Sequence, residues 1–186
     1  MQEVYLPLDS QRTLIELARR TLDTFVLGRA CRAESIDDTY LRSESYGAFV
    51  SLHNKGELRG CIGDCAPRVP LYETVIEMTQ AAAARDSRVE PVSQSELDDV
   101  RIEISVLSPL VRTQAPLFLE VGKHGLYIAR QGRRGVLLPQ VATQYHWDIK
   151  TFLDQTCLKA GLRKHAWKDP QTEVSTFTAL IIEEQR

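Results

Sequence analysis

The sequence predicts an α+β fold of two lobes, each built on antiparallel sheet with flanking helices, and three observations carry that prediction. Short stretches of alternating apolar residues, such as Tyr46, Ala48, Val50 and Leu52, have the period of two expected of half-buried strands. Between them lie segments whose apolar residues recur at the spacing of one helix face. The order strand, strand, helix, helix, strand then occurs twice, which points to a duplicated unit.

Taken in order, Asp9 and Ser10 are placed to cap a first helix whose apolar face is Leu14, Leu17, Ala18, Leu22, Phe25 and Val26, ending near Gly28. The acidic, aperiodic stretch from Arg32 to Glu44 reads as a loop. The strand after it runs into Asn54-Lys55-Gly56, residues suited to a tight hairpin, so Glu57 to Ile62 is expected to return antiparallel. Pro70 opens the next helix, with Leu71, Val75, Met78 and Ala82 on one face and alanines at 81 to 84 permitting close packing. Ser93 and Glu96 have the spacing of a capping box and predict a short second helix. A strand over 101–107 puts Ile102, Ile104 and Val106 on one side, and Arg101 and Glu103 on a side facing water or a cleft.

The second half repeats the order, with a strand over 125–130, a turn at Gly132 and a short strand Gly135 to Leu138. A helix entered through Pro139 follows, then one capped by Asp148 with Ile149, Phe152, Leu153, Thr156, Cys157 and Ala160 as its apolar face. A last strand is expected near Val174 to Glu183. Registering Arg59-Gly60 on Arg134-Gly135 gives an offset of 75 residues, which carries 101–107 onto 176–182, inside that strand. The lobes are expected to divide near 108–121, and two equivalent halves would enclose a cleft.

A chain of 186 residues suits one generous domain or two small lobes. With 23 Lys and Arg against 25 Asp and Glu, the net charge of -2 is the wrong balance for a protein that coats nucleic acid. The N-terminus lacks the basic start and apolar run of a signal peptide, and no stretch approaches the roughly 18 apolar residues of a membrane span, so a cytoplasmic protein is expected. Cys31, Cys61, Cys65 and Cys157 are too few and too scattered for a secreted disulfide framework.

Chemistry concentrates in Glu57-Leu58-Arg59-Gly60-Cys61-Ile62-Gly63. Strict alternation sets Leu58 and Ile62 on one face and Glu57, Arg59 and Cys61 on the other, so that a guanidinium neighbours a thiol. A nearby Arg favours thiolate and can bring a cysteine below its usual pKa of about 8.5. Gly60 and Gly63 permit close approach of a ligand or of another backbone. The same pattern also fits a small buried hydrophobe with glycines that serve packing alone. The Cys61, Cys65 pair lacks the further cysteine or histidine of a metal motif, and Cys157 falls on an apolar helix face. Asp86 and Arg88 have the spacing of a local ion pair, and His124, flanked by glycines in Gly122-Lys123-His124-Gly125, is placed for acid-base work. Arg130, Arg133 and Arg134 cluster at a hairpin tip, suited to phosphate, to an acidic partner or simply to water.

The string Leu58-Arg59-Gly60-Cys61-Ile62-Gly63 resembles the hallmark of the AMMECR family. Tyr46-Gly47-Ala48-Phe49-Val50, Asp86-Ser87-Arg88, Glu103-Ile104-Ser105-Val106-Leu107 and Gly122-Lys123-His124-Gly125 also look like family blocks. So do Gly135-Val136-Leu137-Leu138-Pro139-Gln140-Val141-Ala142 and Cys157-Leu158-Lys159-Ala160-Gly161-Leu162. Val89 stands where the family usually has Phe after the Asp-Ser-Arg block. The resemblance spans about residues 10 to 183 and implies a single two-lobed domain over 1–186. In prokaryotes it also implies membership of the AmmeMemoRadiSam system, beside a Memo-like protein and a radical SAM enzyme. It supplies no reaction and no cofactor. Two readings follow. The first is a thiol-dependent enzyme or enzyme component with Cys61 as nucleophile or redox thiol, Glu103 and His124 as acid-base groups, and Arg59, Gly60, Gly63, Asp86 and Arg88 around the substrate. The second is a non-catalytic module that presents a substrate or docks those partners.

Overall fold

The computed structural model describes residues 3–29 and 36–185; Cys31 and the beginning of the loop expected from Arg32 lie outside them. The described residues form four helices, α1 (Leu8–Val26), α2 (Leu71–Ala84), α3 (Pro139–Gln144) and α4 (Ile149–Lys159). The strands are β1 (Gly47–Asn54), β2 (Glu57–Asp64), β3 (Val100–Leu107), β4 (Val111–Arg112), β5 (Gly125–Arg130), β6 (Arg133–Leu137), β7 (Glu173–Phe177) and β8 (Ala179–Glu183). They make two four-stranded antiparallel sheets, ordered β2-β1-β3-β8 and β4-β7-β5-β6. The fold is α+β, as the alternating and helical periods predict.

The first unit comprises residues 5–107 and 180–185. Its core is the inner face of β1 and β3, where Ala48, Val50, Leu52, Ile102, Ile104 and Val106 are buried, with α2 packed on β1 and β2 and α1 packed on α2 and β3. The Asn54-Lys55-Gly56 turn closes β1 on β2 with positive φ at Lys55 (52°) and Gly56 (86°), the geometry that lets a two-residue loop follow strand twist. Arg19 on α1 makes a bidentate ion pair with Glu184 (2.8 and 2.6 Å) and also donates to the Val100 carbonyl (2.7 Å). Its charge is thereby buried only with full pairing. Neither residue stood out in the sequence, because the partners are far apart along the chain.

The second unit comprises residues 3–4 and 108–179. Leu126, Ile128, Leu137, Phe152, Leu153, Cys157 and Val174 form its core. The predicted cap of α4 is present, with the Asp148 side chain accepting from the Thr151 N–H (2.7 Å). Cys157 is fully buried, and burial pushes its thiol up.

Four local expectations are corrected. No side chain caps α1, which follows Pro7; Ser10 donates instead to Asp38 (2.8 Å). Phe25, assigned to the buried face, is 38% exposed, in the last turn of α1. The Ser93 capping box forms, yet it closes one 3-10 turn, Gln94–Glu96, and not an α-helix. The last predicted strand is two: it breaks at Thr178, with β7 in one sheet and β8 in the other.

That break reveals the repeat. In both sheets a hairpin and a third strand are ordered second-first-third, as β2-β1-β3 and as β6-β5-β7. The chain leaving β3 supplies β4 to the edge of β7, and the chain leaving β7 supplies β8 to the edge of β3. The two exit residues bond each other, Ser108 N–H donating to the Thr178 carbonyl and Thr178 N–H to the Ser108 hydroxyl, both at 3.0 Å. Thus β3 corresponds to β7, ending at 177, and the 75-residue offset overshoots it.

Candidate functional site

The Leu58–Gly63 segment lies on β2, an edge strand of the first sheet. Its register against β1 is interrupted by one extra residue: Leu52 faces Gly60 while His53 faces Leu58, leaving Arg59 as a bulge. The bulge corrects the predicted alternation. Ile62 stays opposite Val50 on the core side, but Leu58, opposite His53, shares the outer face with Cys61, opposite Ser51. Ser51 is in turn opposite Glu103 on β3. One row on the outer face therefore carries a thiol, a hydroxyl and a carboxyl on three adjacent strands, and the Ser51 hydroxyl lies 3.2 Å from the Cys61 sulfur. His53 occupies the same face one step along β1. Burial raises the Glu103 carboxyl above its ordinary value, opposed by the charge of His53 and reinforced by Glu183.

The outward edge of β2 at Cys61 is closed by side chains. The Cys61 N–H donates to Asp86 (2.8 Å), and Arg88 donates to the Cys61 carbonyl (3.1 Å). Arg88 also clasps Asp86 through Nε (2.9 Å) and Nη2 (2.6 Å). The Arg88 guanidinium, with the peptide N–H groups of Cys61 and Arg88, holds the buried Asp86 carboxyl far below the usual carboxylate range. Asp86 and Arg88 thus take the place of a neighbouring strand, satisfying the polar groups an edge leaves open. Because both Cys61 backbone groups point outward, Cys61 and Ser51 form a non-hydrogen-bonded pair, the closer kind, which accounts for the sulfur–hydroxyl contact.

The guanidinium that contacts Cys61 is that of Arg88, through its bond to the Cys61 carbonyl. Arg59, expected in that role, is turned away by the bulge into a bidentate pair with Glu96 (2.7 and 3.2 Å). Glu96 also accepts from the Ser93 N–H and hydroxyl, each at 2.9 Å. Arg59 first, then Ser93, brings the Glu96 carboxyl from 4.5 to about 2. Since the folded value is the lower one, the pairing stabilises the fold fully above about pH 4.5 and progressively less as pH falls through about 2. Glu96→Gln should cost about 1–2 kcal/mol at pH 7. In urea titrations its deficit should shrink by more than half by about pH 3; an undiminished deficit there would show that the carboxylate charge is not responsible.

Gly60 and Gly63 permit close packing within the unit itself. A methyl at Gly60 would overlap the Ala82 carbonyl of α2, and one at Gly63 would overlap the Phe49 ring. Gly135, registered on Gly60 by the sequence, has the same use: a methyl there would stand 2.8 Å from the Thr156 carbonyl of α4. His124 belongs to the second unit and is half-buried, more covered than its glycine neighbours suggest. Its Nδ1 accepts from the Glu120 N–H (2.9 Å), leaving Nε2 as the nitrogen available for proton transfer. Sequence reasoning missed Ser51 because a hairpin without the bulge would set Cys61 opposite Val50. No helix among the described residues is long and apolar enough to cross a membrane.

Comparison with known proteins extends these observations. The sequence model of the AMMECR1 family matches residues 15–182. A protein of Methanothermobacter thermautotrophicus is 42% identical over 188 residues, covering 97% of this chain and 98% of its own length. Protein MJ0810 of Methanocaldococcus jannaschii is 36% identical over 187 residues, covering 96% of this chain and 92% of its own. Among solved structures, uncharacterized protein PH0010 from Pyrococcus horikoshii superposes with a TM-score of 0.85 at 36% identity, over 93% of this chain and 90% of that one.

Proposed function

The chain belongs to the AMMECR1 family, and we propose that it is a thiol-dependent enzyme or enzyme component whose reacting group is Cys61, working beside the Memo-like and radical SAM partners that the family resemblance implies. The row Cys61, Ser51, Glu103 carries this reading. Cys61 serves as nucleophile or redox thiol. Ser51 orients the sulfur, and Glu103, with its carboxyl raised by burial, takes up or returns a proton closer to neutrality than an exposed glutamate would. Arg88 is the guanidinium beside Cys61, held there by donating to its carbonyl. Arg59 is engaged by Glu96.

In the folded protein iodoacetamide should modify Cys61 faster than Cys65, and Arg88→Gln should slow Cys61 several-fold without changing Cys65, as read by peptide mass spectrometry. Cys61→Ser should abolish turnover in the reconstituted three-component system. Full turnover by that variant would sink the catalytic reading.

The alternative, a non-catalytic binding or scaffold module, is favoured by one observation. Gly60, Gly63 and Arg59 are all accounted for by packing and ion pairing, while Leu58, 37% exposed, shares the face of Cys61. Under that reading pull-downs retain the partners with Cys61→Ser and lose them with Arg59→Glu.

A further inference from the structure

The net charge of -2 conceals a separation along the chain. Residues 108–179 carry ten Lys or Arg against five Asp or Glu, whereas the remainder carries 13 against 20. The second unit is therefore a basic body in an acidic protein, a distribution that marks an anion-binding surface more reliably than the total does.

Its arginines converge at the β5–β6 hairpin. A groove of about 390 Å³ is lined by Arg112, Arg130, Arg133 and Arg134, and a second, of about 320 Å³, by Arg130, Arg133 and Arg163. Arg130 pairs with Asp169 (2.8 Å), and Arg133 is fixed by donating to the Gly161 carbonyl (2.7 Å). Arg112 and Arg134 make no ion pair among the described residues, and both are exposed. Register places them on one face of the sheet, at its two edges: Arg134 on β6 opposite Ala129, Arg112 on β4 opposite Ser175, with Ser175 of β7 and Tyr127 of β5 on the same face between those edges. Glu173, opposite Ala129 on that face, is the acid lining the larger groove.

Two uncommitted guanidiniums that line one groove from the opposite edge strands of a sheet offer paired forks of donors, which match the oxygens of phosphate better than ammonium groups do. The grooves are of small-ligand size. Glu173 would repel a uniformly anionic polymer laid across the face but can accept from a hydroxyl. We propose that this hairpin groove binds a phosphorylated small molecule, its phosphates taken by Arg112 and Arg134 and a hydroxyl-bearing portion by Glu173.

Isothermal titration of the whole protein with inorganic pyrophosphate and with ADP tests this. Both should bind, ADP the tighter. Arg112→Gln and Arg134→Gln should each weaken pyrophosphate about ten-fold, the decade that one charge-assisted contact is worth. Glu173→Gln should weaken ADP while leaving pyrophosphate unchanged or tighter. Circular dichroism unchanged in the exposed-arginine variants keeps a loss of binding interpretable. No heat from either probe, or binding unaffected by both arginine substitutions, overturns the proposal. So does single-stranded RNA that binds more tightly than ADP and is lost with the same substitutions, since that assigns the groove to a nucleic acid backbone.

Discussion

Gly60→Ala is expected to destabilise the first unit by about 3 kcal/mol or more, the upper end of the cost of overpacking, and to lower Tm by roughly 6–12 °C. The added methyl meets backbone, the Ala82 carbonyl, so no side chain can swing aside to admit it. Either β2 withdraws from α2 or the helix shifts, and both movements disturb the bulge that sets Cys61 opposite Ser51. The substitution should therefore also change the rate at which Cys61 is alkylated. A Tm within 1–2 °C of the parent protein would show that α2 can be displaced cheaply, and that closeness at Gly60 is not what fixes the strand.

Asp86→Ala should cost about 2–3 kcal/mol, and roughly 4–12 °C in Tm. The carboxylate is 7% exposed and receives both the Cys61 N–H and the Arg88 guanidinium, so its removal strands a donor on β2. The penalty is smaller than for a wholly buried ion pair because the Arg88 side chain is 57% exposed and can turn to water. Hydrogen exchange distinguishes this from a general loss of stability: the Cys61 amide should exchange much faster in the variant while the amides of β3 keep their order of protection. Because Asp86 is held far below the usual carboxylate range, the deficit should be constant from about pH 5 to pH 9. A deficit that vanished at pH 5 would assign the stabilisation to another group.

Element identity was largely legible in the sequence because it depends on local periods: the buried face of α2, the inner face of β3 and the Asp148 cap all fall where spacing puts them. What escaped was set by single residues acting over distance. One extra residue at Arg59 moves Leu58 to the other face and gives Cys61 a new neighbour, and no local propensity announces such a bulge, nor the helix carbonyl that lies against Gly60 from Ala82, 22 residues downstream. The partner of Arg59 was visible only as half of a capping box, since Glu96 caps Ser93 and binds Arg59 with the same carboxylate. Asp86 and Arg88 could be read as an ion pair, but their use as a substitute strand depends on β2 being an edge, a fact of topology. The break at Thr178 was hidden because strand-forming residues run through it, from Val174 to Ile182, into a different sheet.

The exchange of final strands has a consequence for how such a protein can be inherited. A gene ending before β8 would leave β3 as a bare edge, and one beginning after β4 would do the same to β7, each ready to pair with whatever strand it met. Recombination therefore has no point at which to divide the chain into two independently useful modules. This gives a physical reason why the relatives align over nearly the full length of this chain and not over one half of it.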